Sequence, residues 1–144
     1  MSNRLLVALD GSDCGRRALN AAVRHAKLTD SDLVLTYVID WSPYSFHTPE
    51  ELSERHERRE SEIERANAAV LEPEAAALIN AGMTVQTVVR HGKIAETLVE
   101  LAKELDVSQI YIGRIGESRV RSMIFGTVTA ALVQTSPVPV TVVP

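Results

Sequence analysis

The chain has 144 residues, 45% of them apolar and 24% charged, with a formal net charge of −4. That length suits one domain, 1–144, able to bury its own core, and the acidic balance argues against nucleic-acid binding through a basic surface. The lone Cys14 rules out an intramolecular disulfide and a multi-cysteine zinc site, which fits a reducing, cytoplasmic setting.

The N-terminal "LLVAL" (5–9) is a short apolar run closed by Asp10. It reads as a strand and not as a signal peptide. A helix is expected over about 13–28, where Ala18, Leu19, Ala22, Val23 and Ala26 share one face, with Ser12 or Asp13 as N-cap. The second strand is "LVLTYVI" (33–39). The loop "WSPYSFHTP" (41–49) follows it, and the Glu/Arg-rich stretch in 47–82 then reads as an exposed helix. Pro73 should break or kink that helix near Val70–Glu72, and Gly82 is placed to cap its end.

"MTVQTVV" (83–89) supplies the third strand, and Ile94, Leu98, Leu101, Ala102 and Leu105 mark a helix over 93–105. "IYI" (110–112), a helix over 125–135 and "VPVTVV" (138–143) complete the order. Strands apolar at nearly every position suit a sheet covered on both faces. The βαβαβαβαβ order therefore predicts an α/β fold, a parallel sheet with right-handed crossovers and helices on both sides. No apolar run approaches the roughly 18 residues of a membrane span.

In such a sheet every strand ends on one edge. Asp10, Val38 to Asp40, His91-Gly92 and Gly113 should converge there, and ligands of open α/β sheets bind outside the carboxyl ends where strand order reverses. The stretch "GRIGESRVRSMIFGT" (113–127) starts from that edge. It is neither a P-loop nor a G-x-G-x-x-G turn. It leads into the last helix with Gly126-Thr127 at the N-terminus, where open N–H groups and the helix dipole favour an anion. Gly113 and Gly116 allow a close backbone approach, and Arg114, Arg119 and Arg121 outweigh Glu117. Together these point to a phosphate. Taken singly, Gly126-Thr127 also fits a plain N-cap, and Asp10 fits a cap of the first helix or an ordinary Asp-Gly-Ser turn.

These residues resemble the universal stress protein family. The phosphate-loop pattern of its nucleotide-binding branch (Gly, two residues, Gly, nine residues, Gly, then Ser or Thr) is met by Gly113, Gly116, Gly126 and Thr127. "VALDGS" (7–12), "TYVID" (36–40), "IYIGRIG" and "SPVPVTVV" resemble its first, second, fourth and fifth strands, so the likeness spans the chain. The resemblance implies a single-domain, open, Rossmann-like five-stranded sheet of order 3-2-1-4-5. It also implies ATP or another adenine nucleotide in the cleft, with Mg²⁺ or Mn²⁺. Asp10 and the backbone of Val38 would then face the adenosine half, Gly113 and Gly116 would pass close to ribose and phosphates, and Gly126 and Thr127 would hold the phosphates. Arg114 has two readings, toward a terminal phosphate or into solvent.

Glu117 departs from the pattern. A like charge at about 4 Å costs on the order of 4 kcal/mol at an effective dielectric near 20, so Glu117 should point outward or act through a divalent cation. The resemblance further implies a homodimer built by antiparallel pairing of the fifth strands. Pro137 and Pro139 share a parity, which marks that strand as an edge, and Thr141 and Val143 are expected to donate across the two-fold axis.

Cys14 reads as a small buried residue over a reactive thiolate. His91 fits either a phosphate contact or a strand-end cap. No Ser–His–Asp set or paired-carboxylate site is assignable, so a binding and regulatory role in stress response is expected over catalysis. Slow ATP hydrolysis and an interaction module with an empty cleft are the alternatives.

Overall fold

A computed structural model describes residues 3–40, 49–116 and 126–144, with backbone alone for 49–56. The aromatic loop up to residue 48, and with it His47, lies outside the described residues, as do Glu117, Ser118, Arg119, Arg121 and the segment Met123 to Phe125.

Five strands alternate with helices: β1 Arg4–Ala8, α1 Asp13–Thr29, β2 Asp32–Asp40, α2 Pro49–Ala66, α3 Glu72–Asn80, β3 Val85–Gly92, α4 Ile94–Glu104, β4 Gln109–Gly113, α5 Thr127–Thr135 and β5 Val140–Val143. All strand pairs are parallel and the order is β3-β2-β1-β4-β5. Side chains of successive strand residues go to opposite faces, and the core divides accordingly. Leu5, Val7, Leu33, Leu35 and Tyr111 pack under α1 and α3 on one face. Leu6, Val34, Val38, Ile110 and Ile112 pack with Leu98, Leu101 and Leu132 of α4 and α5 on the other. Both faces of the central strands are covered, which is why they lack polar alternation.

Ser12 is the N-cap of α1, its hydroxyl accepting from Gly15 N–H at 3.1 Å. The Pro73 break takes the form of a π-helical turn over Asn67–Leu71 joining α2 to α3, with proline in the first turn of α3. There its missing N–H falls among donors that have no intrahelical acceptor in any case. Gly82 ends α3 with φ +89°, its N–H bonded to Ile79 and Met83 N–H to Leu78, the left-handed termination that favours glycine.

The β5 edge requires a correction. Ile110 N–H donates to Pro139 C=O at 3.0 Å, and Arg114 N–H to Val143 C=O at 2.7 Å. The N–H and C=O of one residue lie on the same side of a strand, so Pro139, Thr141 and Val143 face β4. Thr141 and Val143 are spent inside the sheet and cannot donate outward. The outward groups belong to Val138, Val140 and Val142. The proline parity identifies one side of the strand, and it is the inner one.

Beneath β4 and β5 on the α1 side, Tyr111 is hydrogen-bonded to His25 Nδ1, with the rings edge to face at 75°. Burial raises the Tyr111 phenol above its usual range, and a side-chain hydrogen bond with Thr141 partly offsets that.

Candidate functional site

β1 and β4 are neighbours, and their following connections leave for opposite faces. The site is built where they part. β1 ends and the chain turns through Asp10, Gly11 and Ser12, with Gly11 at φ +83°. Asp10 Oδ1 accepts from the Ser12 N–H at 3.0 Å and from its hydroxyl at 2.5 Å. Asp10 therefore shapes the turn, while Ser12 caps α1, and the Asp10 carboxylate is held at the sheet edge instead of over the helix end.

After β4 the chain bends at once. Arg114 N–H is fixed to β5 through Val143, and Arg114 C=O accepts from Gly126 N–H at 2.8 Å. A Cβ on Gly126 would lie 3.5–3.6 Å from the backbone of Arg114, Ile115 and Gly116. Both ends of the predicted phosphate loop thus close on each other. Gly116 meets Asp10 directly: a Cβ there would stand 2.7 Å from Oδ2. Arg114 has an exposed side chain, and its backbone is the part engaged.

Gly113 has a different role from the expected one. Its Cβ direction is filled by Cys14, with Sγ at 2.8 Å and the backbone C and O at 3.0 and 3.1 Å. Glycine is required there so that the first turn of α1 can lie on β4, and ligand approach is not the reason. Cys14 is buried, and its Sγ is 3.3 Å from the Val143 carbonyl oxygen it donates to.

Val38 has its side chain in the α4-covered core. Even-numbered residues of β2 turn their backbone toward β1, as shown by Leu9 N–H bonding to Thr36 C=O at 2.8 Å. β1 has ended by the level of Val38, and no described residue bonds its N–H or C=O there. A backbone donor and acceptor are thereby left side by side at the reversal of strand order.

Gly126 is the N-cap of α5 and offers no side chain to the first N–H groups, and Thr127 stands exposed at the first helical position. The helix is aimed by Thr129, which is buried and donates to Gly113 C=O at 2.8 Å. Thr129 was not singled out from sequence. Its cue is a hydroxyl one residue past an apolar helix position, a pattern too common to select it. His91 is tied to α2, its Nε2 lying 3.1 Å from Glu62 Oε2, which fits the strand-end role. Among the described residues no group of three or more His, Cys, Asp or Glu side chains is arranged to hold a metal, and no helix is long and apolar enough to cross a membrane.

The edge therefore combines a carboxylate, an open backbone donor–acceptor pair, a closed glycine turn and an uncapped helix N-terminus. Comparison with known proteins agrees in extent. Residues 1–144 match the universal stress protein family. The universal stress protein YxiE of Bacillus subtilis is 30% identical over 150 residues, covering 99% of each chain. The solved UspA of Lactobacillus plantarum superposes with a TM-score of 0.80 at 24% identity, covering 98% of this chain and 97% of that one. A universal stress protein solved in complex with cAMP has a TM-score of 0.64 at 23% identity, covering 98% and 96%.

Proposed function

The chain belongs to the universal stress protein family, and from that premise we propose that it binds an adenine nucleotide at the β1–β4 edge and acts as a stress-response regulator. ATP is the ligand of choice. The observation that carries this is the contact of the Asp10 turn with the 114–116 turn beside the uncapped start of α5. The parts suit the parts of a nucleotide. An adenine edge presents a donor beside an acceptor, as the Val38 backbone does. A carboxylate such as Asp10 accepts from ribose hydroxyls. The Gly126-Thr127 end of α5 offers N–H groups, a hydroxyl and the positive end of a helix dipole to phosphates. Arg114 stands next to them as a cation in reach of solvent. The cAMP bound by a relative of this fold favours the same base.

A divalent cation fits this site in one way only. Mg²⁺ binds through phosphates with few protein ligands, and the described residues provide no dedicated cage. Mg²⁺ or Mn²⁺ would therefore arrive with the nucleotide and neutralise its phosphates.

The regulatory output is proposed to run through a homodimer formed at the C-terminal strand in the cytoplasm. Mass spectrometry of ligand released from freshly purified protein, with calorimetry of the stripped protein, tests the binding. Adenine nucleotide in the release, or affinity weakened in Thr127→Ala, is expected. No measurable affinity for any adenine nucleotide at millimolar concentration would overturn it.

A further inference from the structure

The open side of β5 carries a small and defined set of backbone groups. Val138, Val140 and Val142 face away from β4, as the bonds made by Pro139 and Val143 require. Val138 is already satisfied. Its N–H donates to Ser136 Oγ at 3.2 Å, and that hydroxyl donates back to its carbonyl at 2.7 Å. Pro144, the next outward position, has no N–H, and its carbonyl accepts from Arg17 Nε at 2.8 Å. No described residue bonds the outward groups of Val140 and Val142. β5 thus shows a window of two donors and two acceptors, stopped at both ends.

We propose that this window pairs antiparallel with the same window of a second copy of the chain, in the register that sets Val140 against Val142 and Thr141 against Thr141 at the two-fold axis. The proposal rests on the homodimer reading above and adds its register. Symmetry leaves few choices. Setting Val140 against itself would oppose Val142 to Val138, whose groups Ser136 occupies. Setting Val142 against itself would oppose Val140 to Pro144, which lacks the donor. Only Val140 against Val142 lets each residue exchange both N–H···O bonds with its partner.

The side chains agree with that register. Thr141 becomes a non-hydrogen-bonded pair on the axis, with Cα atoms about 4.5 Å apart, where threonines favour each other. Its hydroxyl accepts from Gln109 Nε2 on the same face. On the other face Val138, Val140 and Val142 are half-buried against the α4–α5 core, and the second copy would continue that apolar stripe. The opposite edge of the sheet is less suited. Exposed Gln86 and Arg90 stand along β3, and Glu62 of α2 reaches His91 at its end. Charged side chains on an edge oppose strand addition.

Single cysteine substitutions read the register directly, with the native Cys14 left in place because it is buried. Thr141→Cys should give a disulfide-linked dimer in most of the protein on mild oxidation, since a non-hydrogen-bonded pair lies within disulfide reach. Val140→Cys and Val142→Cys should stay uncrosslinked alone and crosslink when mixed. Ser136→Ala frees Val138, so Ser136→Ala/Val140→Cys should gain the crosslink that Val140→Cys lacks. Val140→Pro removes an outward N–H without touching the β4 ladder and should shift the sedimenting species from dimer to monomer with circular dichroism unchanged. A dimer that crosslinks through Val140→Cys or Val142→Cys alone overturns the register and leaves the homodimer standing. Sedimentation of the unsubstituted protein as a monomer overturns both. A dimer indifferent to Val140→Pro is built on another surface and overturns the proposal.

Discussion

Gly116 stands against Asp10 so closely that a Cβ on the glycine would lie 2.7 Å from Oδ2 of the carboxylate. Two turns separated by a hundred residues of chain are thereby in contact across the point where strand order reverses. Gly116→Ala must displace the carboxylate, which Ser12 holds by two hydrogen bonds. The expected result is a loss of nucleotide affinity of about tenfold or more, on the order of 1.4 kcal/mol, with a stability change below about 1 kcal/mol at this exposed turn. Gly126→Ala is the contrast. Its Cβ would sit 3.5 Å from its neighbours, an ordinary contact, so the site should keep its shape and the cost should be that of a poorer N-cap, about 0.5 kcal/mol. Calorimetric titration and urea denaturation of the two variants separate the effects.

Gly113 is fixed by packing. Its Cβ would meet Cys14 Sγ at 2.8 Å and the Cys14 carbonyl oxygen at 3.1 Å. The expected cost of Gly113→Ala is about 1–3 kcal/mol in urea denaturation, as for other overpacked sites. Removing the sulfur should not restore it, because the backbone atoms remain in the way. Full recovery in Cys14→Ala/Gly113→Ala would show that the thiol alone sets the constraint.

The glycine pattern was legible for this reason: Gly113, Gly116 and Gly126 all occupy places where chain approaches chain, and such places keep glycine whatever the ligand. The apolar runs around Leu6, Val34, Val88, Ile110 and Val142 were legible as strands because both faces are covered. What spacing could not supply was direction. Pro137 and Pro139 reveal a parity, but only the bonds of Ile110 and Arg114 tell which side it faces. The π turn at Asn67–Leu71 and the Thr129 anchor were also hidden, since each depends on a partner distant in sequence. The roles assigned to Asp10, Val38 and Thr127 remain proposals that the binding experiments decide.

Thr129 should carry a measurable share of stability. Its hydroxyl is buried and donates to the Gly113 carbonyl at 2.8 Å. Thr129→Val keeps the shape and withdraws the donor from a buried acceptor, which costs about 1–3 kcal/mol. Thr129→Ser retains the donor and should fall closer to the parent, losing about 1 kcal/mol for the methyl group. If Val and Ser variants unfold at the same urea concentration, the hydrogen bond contributes nothing and packing alone holds α5 on β4.

Tyr111 makes stability depend on alkaline pH. Burial raises its phenol above the ordinary value of 10.0, with the Thr141 hydrogen bond opposing in part. In the unfolded chain the phenol ionises near that ordinary value, whereas in the folded chain it stays protonated to higher pH. Above pH about 10 the unfolded state therefore binds fewer protons than the folded one, and stability must fall as pH rises. Below that the contribution is fully present. Urea denaturation between pH 8 and 11 should show a midpoint that declines across the upper part of the range. Tyr111→Phe removes the titrating group, and its midpoint should lose this part of the decline even though the variant also forfeits the hydrogen bond to His25. An equal decline in both proteins would assign the alkaline sensitivity to lysines or to global charge, and would mean that burial of the phenol costs its anion nothing.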